Sequence, residues 1–307
     1  MRILVTGGAG FIGSHLAREL ARRDHEVVVV DNLSNGRRDN VPDGCLFLES
    51  DLGRPEALES LPDVDAVVHF AAQSSGPASG QIPYADLQSN SASTLLLSRW
   101  CIARGISRFV YASSMAVYGN PERLPVTEDA PCVPRSYYGV SKLASEHMLR
   151  IAAYEGLQPT CLRFFSVYGP GQNLVNLQQG IVSIYLAYLL SSDELPVTGS
   201  LDRFRDLVHV DDVVRLCAAV VEAKSTPEFV YNVGGGVAVR IRELIEALRR
   251  AVGASDDFPV RELSGSPSDQ FGLYADISRV ARDFDWSPRV ELRTGLDGMV
   301  EWARQSL

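Results

Sequence analysis

The sequence predicts an α/β fold, a doubly wound parallel sheet flanked by helices. Three observations predict it. Short apolar, β-branched runs recur along the first third of the chain; helical patterns separate them; and a glycine-rich turn stands between the first run and the first helix. Strands at this spacing with helices between them read as βαβ units.

The elements follow in order. Ile3-Leu4-Val5 reads as a strand buried on both faces. It breaks at Thr6-Gly7-Gly8-Ala9-Gly10, after which Phe11, Ile12, His15, Leu16, Glu19 and Leu20 fall at helical spacing. Val27–Val30 forms a second strand ending at Asp31, and Leu46-Phe47-Leu48 a third ending near Asp51. Ala66-Val67-Val68 leads into His69-Phe70-Ala71-Ala72, and Phe109-Val110-Tyr111 into Ala112-Ser113-Ser114. Helices are predicted over Leu87–Ala103 and Tyr138–Ala153.

Composition narrows the function classes. The chain has 307 residues, 46% hydrophobic and 22% charged, with a formal net charge of −9. That length allows one large domain or two joined ones, and the composition excludes wholesale disorder and fibrous architecture. The longest near-apolar stretch, Ile184–Leu190, falls far short of the roughly 20 residues that span a bilayer, so no membrane partner is expected. Met1-Arg2 runs straight into the first strand, which leaves no room for a signal peptide and predicts a cytoplasmic protein. The acidic balance argues against a nucleic-acid partner. Cys45, Cys101, Cys132, Cys161 and Cys217 are odd in number and widely spaced, as expected for reduced, packed thiols. The five histidines form no HxxxH pair, so no metal site is expected.

Two motifs carry chemistry. Gly8-Ala9-Gly10-Phe11-Ile12-Gly13 is a literal GxGxxG between strand and helix, and Asp31 ends the next strand 18 residues after Gly13. That is the context of a dinucleotide fingerprint: glycines for a tight turn, free N–H groups at the helix start for a pyrophosphate, and a carboxylate for the adenosine ribose. A purely structural glycine turn is the alternative. Asp31 repels a 2′-phosphate and so favours NAD over NADP, whereas Arg37 and Arg38 argue the other way. The second motif is Tyr138-Gly139-Val140-Ser141-Lys142, which aligns Tyr138 and Lys142 on one helix face. A free tyrosine is a poor base at neutral pH; an adjacent ammonium that lowered its pKa by ~3 units would supply about 4 kcal/mol of differential stabilisation. Ser114, just past a predicted strand, can offer a hydroxyl to the same reacting oxygen. A solvated helix face is the alternative for the Tyr–Lys pair.

These motifs resemble those of the extended short-chain dehydrogenases/reductases, in the NAD-dependent nucleotide-sugar epimerase/dehydratase group. The resemblance covers nearly the whole chain. It rests on Val5–His15, Asp31-Asn32-Leu33-Ser34, Asp51-Leu52, His69–Gln73, Ser113-Ser114 before Val117-Tyr118-Gly119, and the Tyr138/Lys142 pair. It continues through Val167-Tyr168-Gly169-Pro170, Arg205-Asp206 before Val210-Asp211-Asp212, and Tyr231-Asn232-Val233-Gly234.

The resemblance implies a Rossmann-type domain over 1–170 and about 206–232. A smaller, mixed α/β domain for the nucleotide sugar takes 171–205 and 233–307. It implies bound NAD, held by Gly7, Gly10, Phe11, Ile12, Gly13, Asp31, Asn32, Ser34, Asp51, Leu52, Phe70, Ala71, Ala72, Ser113, Tyr138 and Lys142. Tyr138, Lys142 and Ser114 become the reacting set. Ser79, Ser114, Tyr138, Ser166, Gly199, Arg205 and Asp269 become substrate contacts. Arg205 is implied to contact the diphosphate, with a surface ion pair to Asp206 as the alternative, and Asn90 matches a structural asparagine of the family, with an ordinary helix cap as the alternative. The polar run Asn173, Asn176, Gln178 and Gln179 before a helix reads either as a nucleotide-gripping loop or as a surface loop. Helices Leu87–Ala103 and Tyr138–Ala153 match those that pair in family homodimers, although the sheet can equally cover their apolar faces.

The resemblance also separates reactions. The family's 4,6-dehydratases carry Asp-Glu after the strand-end serine; here the residues are Met115-Ala116, which cannot act as acid or base. Only Glu128 or Cys132 suggests itself as a substitute acid. The expectation is a 4-epimerase of the UDP-glucose/UDP-galactose type working through a transient 4-keto sugar. The alternatives are a dehydratase or 4-ketoreductase and, from another class, a non-catalytic NAD-binding sensor. Ser166 and Ser266 stand where relatives have an asparagine and an arginine, so Arg203 or Arg261 is expected to make up the diphosphate contact. Gly76 and Ala78 stand where relatives have larger residues, which widens the expected sugar pocket.

Overall fold

The computed structural model describes residues 1–265 and 270–306. The chain runs β1 (Arg2–Thr6), α1 (Phe11–Arg22), β2 (Glu26–Asp31), β3 (Leu46–Glu49) and β4 (Ala66–His69). Next come α2 (Gly76–Gln81), α3 (Pro83–Leu87), a π-helical turn (Gln88–Ala92), α4 (Ser93–Ala103), β5 (Arg108–Ser114) and α5 (Tyr137–Ala153). Then follow β6 (Gln158–Phe164), β7 (Ser166–Tyr168), α6 (Ile181–Ser191), β8 (Leu195–Thr198), β9 (Phe204–Arg205), β10 (Leu207–His209) and α7 (Val210–Glu222). The last elements are β11 (Val230–Val233), β12 (Val239–Arg240), α8 (Ile241–Val252), β13 (Val260–Leu263), α9 (Ser278–Phe284) and α10 (Leu292–Ser306).

Seven strands form one sheet in the order β11-β6-β5-β4-β1-β2-β3, every pair parallel. The apolar runs are continuous because both faces are covered. Alternate residues go to opposite sides: Ile3, Val5, Val27 and Val29 pack against α1 and α7, while Leu4, Val28, Val30 and Val67 pack against α4 and α5. The five predicted strands and both long helices stand where the sequence puts them, except that the helix predicted from Leu87 starts earlier, at Pro83, and contains a π turn at Gln88–Ala92. A separate core joins α6, α8 and α10 through Leu186, Leu244, Leu248 and Met299. Beside it lie three two-stranded sheets, β10-β7, β12-β9 and β13-β8.

Connections from β1 move outward one way through β2 and β3, and from β4 the other way through β5 and β6. The strand order therefore reverses between β1 and β4, which opens a crevice at their carboxyl ends. No helix of the described residues is long and apolar enough to cross a membrane.

Candidate active site

A cleft of about 1770 Å³ opens at that crevice. All the residues assigned above to the cofactor line it, from Gly7 to Lys142. The glycines are required by close approach. A Cβ on Gly13 would stand 2.2 Å from the Gly7 carbonyl oxygen, and one on Gly7 would stand 2.7 Å from the Ala71 nitrogen. The turn after β1 is thus pressed against the turn after β4, and α1 begins at Gly10 with no side-chain cap. Phe11, Ile12 and Gly13 of its first turn line the cleft at the positive end of the helix, a ready site for a pyrophosphate.

Asp31 is buried at the end of β2, where its oxygens accept the backbone N–H groups of Ala9 (3.0 Å) and Leu33 (2.8 Å). A carboxylate has lone pairs beyond these two, so ribose hydroxyls can still be accepted. Arg38 stacks on Phe47, 4.5 Å from the ring centroid, so of these two arginines it is Arg37 that lines the cleft. The glycine cradle, the uncapped helix and the fixed carboxylate fit a dinucleotide.

The start of α5 delivers the reacting set. Ser136 caps the helix by accepting the Gly139 N–H at 3.1 Å. A Cβ on Gly139 would lie 2.6 Å from the Ala116 carbonyl oxygen, so glycine lets α5 touch the turn after β5. This contact sets Tyr138 beside Ser114 on the cleft wall, where the serine hydroxyl favours the phenolate. Lys142 is buried, donates from Nζ to the Ala112 carbonyl at 2.8 Å, and lies 5.8 Å from the Tyr138 ring centroid.

One expectation is corrected here. The sequence reading has Lys142 depressing the Tyr138 pKa, but burial outweighs every other influence and pushes the phenol up to about 12. Burial also pushes Lys142 down to about 8, with Asp86, Cys161 and Glu146 holding it up. Desolvation disfavours both charged forms.

On the substrate side the structure divides the sequence assignments. Ser114, Ser166 and Arg205 line the cleft. Ser79 does not: it is fully buried, donates to the Gly76 carbonyl (2.6 Å) and accepts the Tyr138 N–H (3.1 Å), so it seats the helix carrying Tyr138 instead. Gly199 also lies off the cleft wall, at φ +78° in a turn packed on the Arg203 guanidinium. Asp269 and Ser266 lie outside the described residues. The ion-pair reading of Arg205 fails, because Asp206 is buried and accepts backbone N–H groups from Gly235, Gly236 and Ala275. Arg203 lines the cleft, whereas Arg261 pairs with Glu194 elsewhere. Gln172 to Gly180 border the cleft, and two of them are bonded to the loop after β4. Gln179 donates to Ser74 Oγ at 2.6 Å, and Ser75 Oγ donates to the Gln178 carbonyl at 2.9 Å. Glu128 and Cys132, the substitute acids, are not on its wall.

A sequence profile of the NAD dependent epimerase/dehydratase family matches residues 3–234. The chain belongs to that family. It is similar to the UDP-glucose 4-epimerase of Azospirillum brasilense, with 34% identity over 98% of this chain and 90% of the relative. Among solved structures it is similar to the UDP-glucose 4-epimerase of Thermotoga maritima with UDP-glucose. That match has a TM-score of 0.94 and 34% identity over 100% of this chain and 99% of that one. It is also similar to the Thermus thermophilus UDP-glucose 4-epimerase in complex with NAD, with a TM-score of 0.90 and 34% identity over the full length of both. The protein is accordingly an NAD-dependent enzyme of the epimerase/dehydratase family.

Beneath this family site lies a buried polar network that motif reading did not find. Arg163 on β6 pairs with Glu146 of α5 through two contacts, 2.9 and 2.7 Å, and Glu146 accepts the Ser113 hydroxyl at 2.5 Å. Arg163 also donates to Tyr118 Oη (2.9 Å), which donates to Asn232 (2.6 Å). Asn90 is no helix cap. It sits buried in the π turn, accepting the Gln73 N–H at 2.8 Å and donating toward Asp86 and Ser141. A charge inside an apolar strand, as in Cys161-Leu162-Arg163-Phe164, was the available signal for Arg163.

Proposed function

We propose that this enzyme is a nucleotide-sugar 4-epimerase, acting on a UDP-hexose of the UDP-glucose/UDP-galactose type through a transient 4-keto sugar. The observation that carries the reading is the composition of the wall around Ser114 and Tyr138. It holds a hydroxyl pair and a lysine, while Met115 and Ala116 offer no proton donor and neither Glu128 nor Cys132 reaches the cleft. Elimination of water needs such a donor; inversion at C4 does not.

In this reading the glycine loop, the start of α1 and Asp31 hold the cofactor, with Tyr138 and Lys142 beside its reactive end. Bound NAD supplies the hydride acceptor and, in the reverse sense, the donor. Tyr138 Oη takes the proton of the sugar 4-hydroxyl and returns it once the 4-keto sugar presents its other face. Ser114 holds the same oxygen by a hydrogen bond. Lys142 carries the positive charge that a phenolate needs. Arg205, with Arg203 next to it on the wall, faces the diphosphate; a guanidinium presents a charged, planar donor fork. The division we propose keeps the cofactor on 1–170 with 206–232 and the nucleotide sugar on 171–205 with 233–307. Tyr84, Leu87, Leu95, Val140, Ile151 and Tyr154 stand exposed along α3, α4 and α5, which supports a homodimer through those helices.

The test is incubation of the purified protein with UDP-glucose, UDP-N-acetylglucosamine and their uronates, without added NAD, followed by proton NMR. Appearance of the C4 epimer supports the reading. A keto-deoxy product overturns it.

A further inference from the structure

The buried carboxylate of Asp86 has no place in the mechanism above, yet it lies next to the reacting pair. Asp86 is 1% exposed on α3, one turn before Asn90 on the same helix face. Its Oδ2 accepts the Ser141 hydroxyl at 2.7 Å, and its Oδ1 lies 3.1 Å from Asn90 Nδ2. Ser141 immediately precedes Lys142, and its hydroxyl is 3.0 Å from the Tyr138 carbonyl. The π turn brings this helix face against α5, with Ser91 bonded to the Ser141 carbonyl at 3.0 Å.

Two carboxylates therefore flank Lys142, and they differ. Glu146 is matched by the two contacts of Arg163. The cation whose charge acts on Asp86 is Lys142 itself. Burial pushes the Asp86 carboxyl up, and the Ser141 hydroxyl and then the Lys142 ammonium offset part of that by favouring the carboxylate.

We propose that Asp86 is a positioning residue whose charge sets the pH range over which the Tyr138–Lys142 pair exchanges its proton. The groups facing Lys142 are Asp86 from α3, Glu146 and Tyr138 from α5, Tyr111 from β5, Cys161 from β6 and His69 from β4. Of these, Asp86 is the one whose negative charge acts on both members of the pair. While ionised, Asp86 makes the pair hold its first and its second proton more tightly, so both steps lie at higher pH than they would without that charge.

The inference rests on the proposed role of Tyr138, and its test separates the two. Asp86→Asn is close in shape and keeps a partner for Ser141, and Ser141→Ala removes the hydrogen bond while leaving the charge. Each is studied as the NAD-loaded enzyme by the pH profile of turnover. Phenolate absorbance is also titrated, with a Tyr138→Phe counterpart as the blank. In Asp86→Asn both limbs of the profile and the Tyr138 ionisation move to lower pH by about one unit. In Ser141→Ala neither moves. An unshifted Tyr138 ionisation in Asp86→Asn overturns the proposal, as does an equal shift in Ser141→Ala. Asp86→Ser repeats the test if the asparagine variant does not fold. The absorbance titration needs no turnover, so it decides the role of Asp86 even if Tyr138→Phe proves active and the proposed function fails.

Discussion

Replacing Arg163 by methionine is expected to cost far more than a surface arginine, and the reason is what it leaves behind. The guanidinium is 6% exposed and Glu146 is 5% exposed, and they meet through two short contacts. Methionine fills much of the same space, so lost packing is small. What is lost is the charge partner of Glu146, together with donors to Tyr118 and to the Glu128 carbonyl at 3.2 Å. Breaking a buried pair from one side costs about 3–5 kcal/mol, against at most about 1 kcal/mol for an exposed pair. For a chain of this length that corresponds to a fall in Tm of roughly 5–8 °C. The assay is urea unfolding followed by circular dichroism, on Arg163→Met, Glu146→Gln and the double variant. Glutamine keeps an acceptor for Ser113, so the double variant should recover at least about 1 kcal/mol of the single loss. A cost below about 1 kcal/mol for Arg163→Met, or no recovery in the double variant, would refute the reasoning.

Other consequences are equally direct. Tyr138→Phe should lower turnover by about 10²–10⁴-fold with NAD still bound, read by steady-state kinetics beside cofactor absorbance. Asp206 is pushed from 3.8 to about 6 by burial, backbone N–H groups offsetting only part of this. The folded state thus holds that proton more tightly than the unfolded chain. Its contribution, on the order of 3 kcal/mol, is complete below about pH 4 and lost as pH rises through about 6. Relative to Asp206→Asn, wild-type stability should therefore decline between pH 4 and 6.5 in urea titrations; a difference that stays flat would count against it. Ile151, 62% exposed on α5, tests the dimer: Ile151→Glu should sediment as a monomer where the wild type sediments as twice that mass.

How legible was this site in the sequence? Features fixed by local pattern were readable. Ile3-Leu4-Val5, the GxGxxG and Asp31 sit within one βαβ unit, and Tyr138 and Lys142 within one helical turn, so spacing alone sets their geometry. Ser79 was misread because a serine beside a cleft in sequence can point into the protein; only tertiary contact showed it bonded to the Tyr138 N–H. Gly199 is one step back from the wall, its turn packed on the Arg203 guanidinium. For Asn90 the structural reading and the cap reading could not be separated, because a π turn has no periodicity that distinguishes it from a helix start. Arg163, Glu146 and Asp86 are distant in sequence or hidden among ordinary helical polars. Their meaning depends on which strand and helix the fold brings together. The Tyr138 shift failed for a quantitative reason: spacing shows that an ammonium is near, but not that desolvation outweighs it.

The most direct test of the central claim follows the hydrogen at C4. UDP-galactose is incubated with the purified enzyme in D₂O, without added cofactor, and the product is examined by NMR. The account predicts UDP-glucose whose C4 hydrogen is the original one, because it leaves and returns as hydride without meeting solvent. Deuterium at any ring carbon or at C6, or a product that has lost water, would contradict it.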